Sequence, residues 1–148
     1  MSVVYLTGVL AFIPARKNSR GLPDKNKRLF CGRPLVEWSI EAARKAEGVS
    51  RVAVSSDDRE LLRMAEAMGV STWLRPAQLA TDEASIEEAL LYHLNVLDTL
   101  PDTIVLLQPT SPLRKPEDID RALWHYREAR ADSLLSVVDT HQPFYWTR

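Results

Sequence analysis

Short apolar runs alternate with amphipathic stretches along the chain. Residues 9–13 (VLAFI) are continuously apolar, the pattern of a parallel strand buried on both faces. Pro34 suits the first turn of a helix. Behind it, LVEWSIEAARKAE places Leu35, Trp38, Ala42 and Ala46 along one side until Gly48 stops it. Residues 51–56 (RVAVSS) predict a second strand. Asp57 or Asp58 caps the next helix, where Leu61, Leu62, Ala65 and Met68 form the core stripe and Gly69 marks the end. Residues 70–74 predict a short third strand. Ser85 and Glu88 make a capping box for a helix carrying Ile86, Ala89, Leu90, Leu94 and Leu97. A fourth buried strand is expected over 103–107. Pro116 then opens a helix with Ile119, Ala122, Leu123 and Tyr126 facing inward, and residues 133–138 predict a last strand.

Strands alternating with amphipathic helices imply an α/β fold, a parallel sheet covered on both faces. Ligands of such sheets sit beyond the carboxyl ends of the strands. Four loops lie there: 15–28, 55–58, 75–85 and 108–114. The first is the most informative. IPARKNSRGLPDKN follows the opening strand and gathers Arg16, Lys17, Arg20, Lys25, Lys27 and Arg28 around a turn at Gly21 and Pro23, with Asp24 the only acid. Fixed cations and backbone N–H groups in an irregular loop are the chemistry that meets a polyphosphate.

Composition narrows the reading. The 148 residues suffice for one domain with a real core. A net charge of −1 implies no bulk attraction to nucleic acid or to an anionic membrane, so the basic loop is a local feature. The lone Cys31 excludes an internal disulfide and fits a reducing compartment. The apolar start, VVYLTGVLAFIP, is too short to span a bilayer, which takes roughly 20 residues, and has neither a basic lead nor a cleavage site. It is read as a buried strand with a short lead-in, and the chain as cytoplasmic.

Several familiar motifs are missing. There is no G-x-G-x-x-G after the first strand, no P-loop, no G-x-S-x-G elbow and no zinc-spaced His/Cys cluster. His93 and His125 fall in helices and are read as surface or satisfied core residues.

Five blocks carry a resemblance. IPARKNSRGLPDKN, GRPLVEWSIEAA, VSSDDRE, LRPAQLATDEAS and LLQPTSPLR resemble, in order, the nucleotide-binding half of the CMP-sialic acid synthetase family, the acylneuraminate cytidylyltransferases. The likeness covers nearly the whole chain. It implies a Rossmann-like three-layer sandwich with a mostly parallel sheet, of the nucleotide-diphospho-sugar transferase type. It also implies Mg²⁺-dependent transfer of CMP from CTP to a sialic-type nine-carbon acidic sugar. The sugar's anomeric hydroxyl attacks the α-phosphorus and pyrophosphate leaves.

The resemblance assigns roles residue by residue. Arg16 and Lys25 are the catalytic candidates, neutralising the triphosphate and the leaving pyrophosphate, the arginine in bidentate fashion and the lysine as a point charge. Ala15, Ser19, Asn26, Arg75, Ala84 and Ser85 join them in binding the nucleotide. Arg75 and the backbone around Ala84 and Ser85 lie by the cytosine; the alternative for Arg75 is a surface charge before Pro76. Gln108, Thr110 and Ser111 line the substrate site, Arg114 being read also as a helix-entry charge. Lys17, Lys27 and Arg28 are either further phosphate ligands or a solvated basic face.

Departures from the family pattern matter too. Ile86 stands where a second small hydroxyl residue is usual, and Arg20 where a lysine is. Family members run further than residue 148, and the resemblance places their metal-holding aspartates, much of the sugar pocket and the dimer arm there. No metal ligand is therefore assigned in this chain; Asp82 is the best improvised contact. The expectation is a single domain over 1–148, truncated at the C-terminus, either a cytidylyltransferase or a non-catalytic or decayed nucleotide-binding module. Loss of covering strands around Phe144, Tyr145 and Trp146 predicts a homo-oligomer. Neither nucleic acid nor membrane is an expected partner.

Overall fold

The computed structural model describes residues 6–17 and 21–137. The chain begins with β1 (Leu6–Pro14), passes through the basic loop with a 3₁₀ turn at Lys25–Lys27, and makes a small hairpin, β2 (Leu29–Phe30) and β3 (Arg33–Pro34). Then follow α1 (Leu35–Lys45), β4 (Arg51–Ser56), α2 (Arg59–Ala67), β5 (Ser71–Leu74), α3 (Ile86–Leu94), β6 (Pro101–Leu106) and α4 (Pro116–Glu128). Four strands form one wholly parallel sheet in the order β5-β4-β1-β6.

That order follows from the handedness of crossovers. The chain steps from β1 outward to β4 and β5, then returns to the other side of β1 as β6. Right-handed connections put helices of the outward steps on one face and the returning helix on the other. Side chains alternate along β1 accordingly. Val9, Ala11 and Ile13 join Val52 and Val54 in a core with residues of α1, α2 and α4. Phe12 faces the opposite way, against Trp73 and the α3 residue His93. The result is a three-layer α/β/α sandwich, the expected fold class.

Local signals behave as their chemistry dictates. Asp58, not Asp57, caps α2, accepting from the N–H groups of Glu60 and Leu61, and Gly69 takes the left-handed φ of 75° that ends it. The capping box of Ser85 and Glu88 is present. The C-terminus of α1 is clasped by α4: Asp120 accepts from Glu47 N at 3.1 Å and from Gly48 N at 2.8 Å. A Cβ at Gly48 would lie 2.7 Å from Leu123 Cδ1 and 3.2 Å from Asp120 Oδ1, so a larger residue here would have to displace the Leu123 side chain.

Two expectations fail. The fourth strand is not buried: among the described residues β6 pairs with β1 alone and lies at the sheet edge, with Leu106 42% exposed. Residues 133–137 form no strand and are exposed. An extended segment becomes a strand only by sharing a hydrogen-bond ladder, and among the described residues β6 offers its free edge unpaired. Val138 and the aromatic group at 144–146 lie outside the described residues.

Candidate functional site

The four loops singled out from the sequence leave the same edge of the sheet. After β1, β5 and β6 the residue just past the strand is still pinned to the ladder: Ala15 N donates to Ser55 O (2.9 Å), Arg75 N to Ser56 O (2.8 Å) and Leu107 N to Phe12 O (2.9 Å). Strand order reverses between β1 and β6, so the basic loop and the Gln108 turn flank the crevice that open α/β sheets use for ligands.

The basic loop is only partly free. Arg16 donates to the carbonyl of Thr81 (2.8 Å) and pairs with Asp82 (2.7 Å), tying the first loop to the third. Lys17 N donates to Asp57 Oδ1 at 2.7 Å. Asn26 is buried and its Nδ2 donates to Arg16 O at 3.0 Å, bracing the loop from within. Asp24, at φ 52°, turns the chain into the 3₁₀ segment that presents Lys25. Lys25 is half-buried, and among the described residues its ammonium has no partner. Lys27 is committed elsewhere: it meets Glu60 at 2.7 Å and Asp58 at 2.9 Å, which raises its pKa. Burial opposes the Asp58 charge, but Lys27 and two backbone N–H bonds prevail and hold its carboxyl below the usual range. Arg28 Nε donates to Pro23 O. Lys27 and Arg28 therefore serve the loop's structure. Ser19 and Arg20 lie outside the described residues.

Arg75 is no surface charge. It is 5% exposed. Its Nε donates to Ser55 Oγ (3.2 Å) and its Nη2 to Ser55 O (3.3 Å). Burial pushes its pKa down, Asp57 counters that and Arg16 adds to it. Among the described residues Nη1 has no partner, so one edge of the guanidinium remains as a donor pair.

The third loop supplies less than expected. Ala84 N already donates to Thr81 Oγ1 (3.2 Å) and Ser85 N to Glu88 Oε2 (2.8 Å). The Ser85 carbonyl receives Ala89 N (3.4 Å), which leaves the Ala84 carbonyl to accept. Ile86 opens α3 and brings no hydroxyl. On the far side, Gln108, Thr110 and Ser111 are exposed. Arg114 folds back on the Gln108 carbonyl (3.4 Å), and burial lowers its pKa. A broad groove runs along β6, α4 and residues 132–137; it meets the four loops only at Leu107, Gln108, Ser111 and Arg114.

The described carboxylates do not fit a protein-held magnesium. Among the described residues no three His, Cys, Asp or Glu side chains converge on one point. Asp57, Asp58 and Asp82 are engaged by Lys17 N, Lys27 and Arg16 respectively.

His93 meets one of its two sequence readings, a satisfied core residue; its link to Arg75 through Ser55 is what the sequence did not disclose. His93 is buried, with Nε2 2.9 Å from Ser55 Oγ, and its pKa is lowered to about 4 by burial and by the Arg75 charge. It is a satisfied core histidine, but its partner also holds Arg75. The available signal was Ser55–Ser56, two hydroxyls ending an apolar strand, both fully buried; buried polar groups need partners.

Comparison with known proteins supplies the context. The cytidylyltransferase family matches residues 10–145. The chain is 38% identical over 144 residues to the CMP-N,N'-diacetyllegionaminic acid synthase of Legionella pneumophila, covering 95% of this chain and 62% of that one. It is 36% identical over 138 residues to the N-acylneuraminate cytidylyltransferase of Escherichia coli, covering 93% and 33%. Among solved structures, a CMP:2-keto-3-deoxy-manno-octonic acid synthetase complexed with CTP superposes with a TM-score of 0.72 at 26% identity, over 84% of this chain and 49% of that one. A 4-diphosphocytidyl-2C-methyl-D-erythritol synthase shares the fold at a TM-score of 0.65 and 15% identity, over 92% and 66%. The chain thus spans about three fifths of the Legionella relative and a third of the Escherichia one.

Proposed function

Because this chain belongs to the cytidylyltransferase family, we propose that it acts in activating a sialic-type nine-carbon acidic sugar with CTP, giving the CMP-sugar and pyrophosphate. The observation that carries this reading is the pairing, on one sheet edge, of a buried arginine with a spare donor edge and a half-buried lysine that has no partner among the described residues.

The two do different work. Arg75 presents parallel N–H donors, which match the O2 and N3 acceptors of cytosine and clash with the N3–H of uracil. The Ala84 carbonyl accepts from the cytosine amino group. Lys25 and Arg16 meet the triphosphate. As the sugar hydroxyl bonds to the α-phosphorus, the bond from that phosphorus to the bridging oxygen breaks, and negative charge grows on the departing pyrophosphate. Cations already in place stabilise that charge without reorganising. Ala15, Asn26 and Ser85 shape the nucleotide side; Gln108, Thr110 and Ser111 face the sugar; Ser19 belongs to the phosphate loop. Mg²⁺ accompanies CTP rather than a carboxylate cluster of these residues.

The same reading makes residues 1–148 a single nucleotide-binding domain, cytoplasmic, and self-associating through the open β6 edge. No described helix is long and apolar enough to cross a membrane. Calorimetric titration with CTP and Mg²⁺ tests nucleotide binding, and a pyrophosphate-release assay with N-acetylneuraminate tests transfer. CTP binding with preference over UTP is expected; its absence overturns the proposal. Binding with no sugar-dependent release would make the chain a nucleotide-binding module. A clean monomer by size-exclusion chromatography at high concentration would remove the self-association.

A further inference from the structure

We propose that Ser55 and His93 form a positioning pair that fixes the donor edge of Arg75, and so set the choice of base without touching it. The inference rests on Arg75 being a nucleotide contact, and it extends that reading to two residues beneath it.

Ser55 Oγ accepts from Arg75 Nε at 3.2 Å and lies 2.9 Å from His93 Nε2. A hydroxyl has one proton and two lone pairs. With one lone pair taken by Arg75, the arrangement that gives the Ser55 proton, Arg75 Nε–H and His93 Nε2 a partner each has Ser55 donating to His93 Nε2. His93 is then neutral, with its proton on Nδ1. The opposite assignment leaves the Ser55 proton without an acceptor on a residue of 0% exposure, at a cost of about 1–3 kcal/mol.

The rest of the histidine's surroundings enforce that state. Its ring sits between Trp73 (5.1 Å between centroids), Phe12 (6.4 Å) and Tyr92 (5.3 Å). Rings on several sides leave it little room to turn. An imidazolium there would face the Arg75 cation through a single oxygen. The Ser55 carbonyl completes the clamp by receiving Nη2 at 3.3 Å. Nε and Nη2 are thereby held, and the Nη1 edge is left facing away from Ser55. Because α3 follows the third loop and β4 precedes the second, the pair also joins two rim elements below the crevice floor.

Two measurements decide it. Nitrogen-15 NMR of histidine-labelled protein should show His93 in the Nδ1–H form, with an Arg75 Nε–H signal that shifts in Ser55→Ala and His93→Leu but not in His93→Gln. An Nε2–H tautomer overturns the inference whether or not CTP binds, so this outcome is separable from failure of the proposed function. Titration with CTP and UTP is the second. In folded His93→Leu the CTP-to-UTP affinity ratio should fall about ten-fold, the loss of roughly one oriented hydrogen bond. His93→Gln, whose amide oxygen can accept in place of Nε2, should keep the ratio within about two-fold. A lowered melting temperature with an unchanged ratio in His93→Leu would show a merely structural role. A collapsed ratio in His93→Gln would overturn the pair even if the leucine variant does not fold.

Discussion

On the β4–β5 side of the crevice a cation is buried and clamped, while on the β1 side the cations stand nearer solvent under looser control. Arg75 is held at Nε and Nη2 by one serine. Arg16 is shared with Asp82 and the Thr81 carbonyl, and Lys25 is left open. Under the proposed function, the contrast matches two tasks. Reading a base edge needs donors fixed to a fraction of an ångström, because discrimination comes from leaving the wrong partner unpaired. Holding a triphosphate needs charge, and a lysine on a flexible stem can follow it. Rigidity is concentrated where selectivity is required.

The clamped side is the one acid should break. His93 stays neutral down to about pH 4 when folded, against 6.5 ordinarily. Between these values the unfolded chain binds the proton that the folded one refuses, so stability falls as pH drops through this window. The loss approaches about 3 kcal/mol by pH 4, and above 6.5 this group contributes no pH dependence. Denaturant unfolding from pH 7 to 4 should show the slope in the parent and a flatter one in His93→Gln. Next in size, Arg75→Leu should weaken CTP about 100-fold, close to two charge-assisted hydrogen bonds, while UTP loses far less. Equal losses for both nucleotides would erase the division of labour. On the open side, Lys25→Ala should cost about 30-fold for CTP and UTP alike, with their ratio unmoved. The smallest effect is at the shared arginine. Asp82→Asn should tighten CTP about three-fold, because the triphosphate no longer competes with a carboxylate for Arg16; a weakened CTP would mean that Asp82 orients Arg16.

How much of this the sequence disclosed depended on the range of the forces involved. The caps depend on neighbours two or three residues away, so Ser85 was legible and the cap of α2 was narrowed to Asp57 or Asp58. The strand at 51–56 announced itself by its composition. By contrast, an apolar run cannot reveal whether it will be paired on one side or two, and so β6 was expected to be buried. Residues 133–137 have the composition of a strand and lack a described ladder to join. At the site, the basic loop was plain, but which cations are spent on structure was not. Lys27 and Glu60 are 33 residues apart, and only the packing of α2 against the loop joins them. His93 looked like any helical histidine because Ser55 lies 38 residues earlier, on a strand it reaches across the sheet's back face.

The clasp between Asp120 and the end of α1 has a mechanical consequence. The helix that follows the basic loop and the helix that follows the Gln108 turn are fastened together across more than 70 positions of chain. Fraying of α4 releases the two N–H groups just past α1, so the two helices should open as one cooperative unit in hydrogen exchange. The separation of the basic loop from the Gln108 turn is thus governed by a joint that neither of them touches.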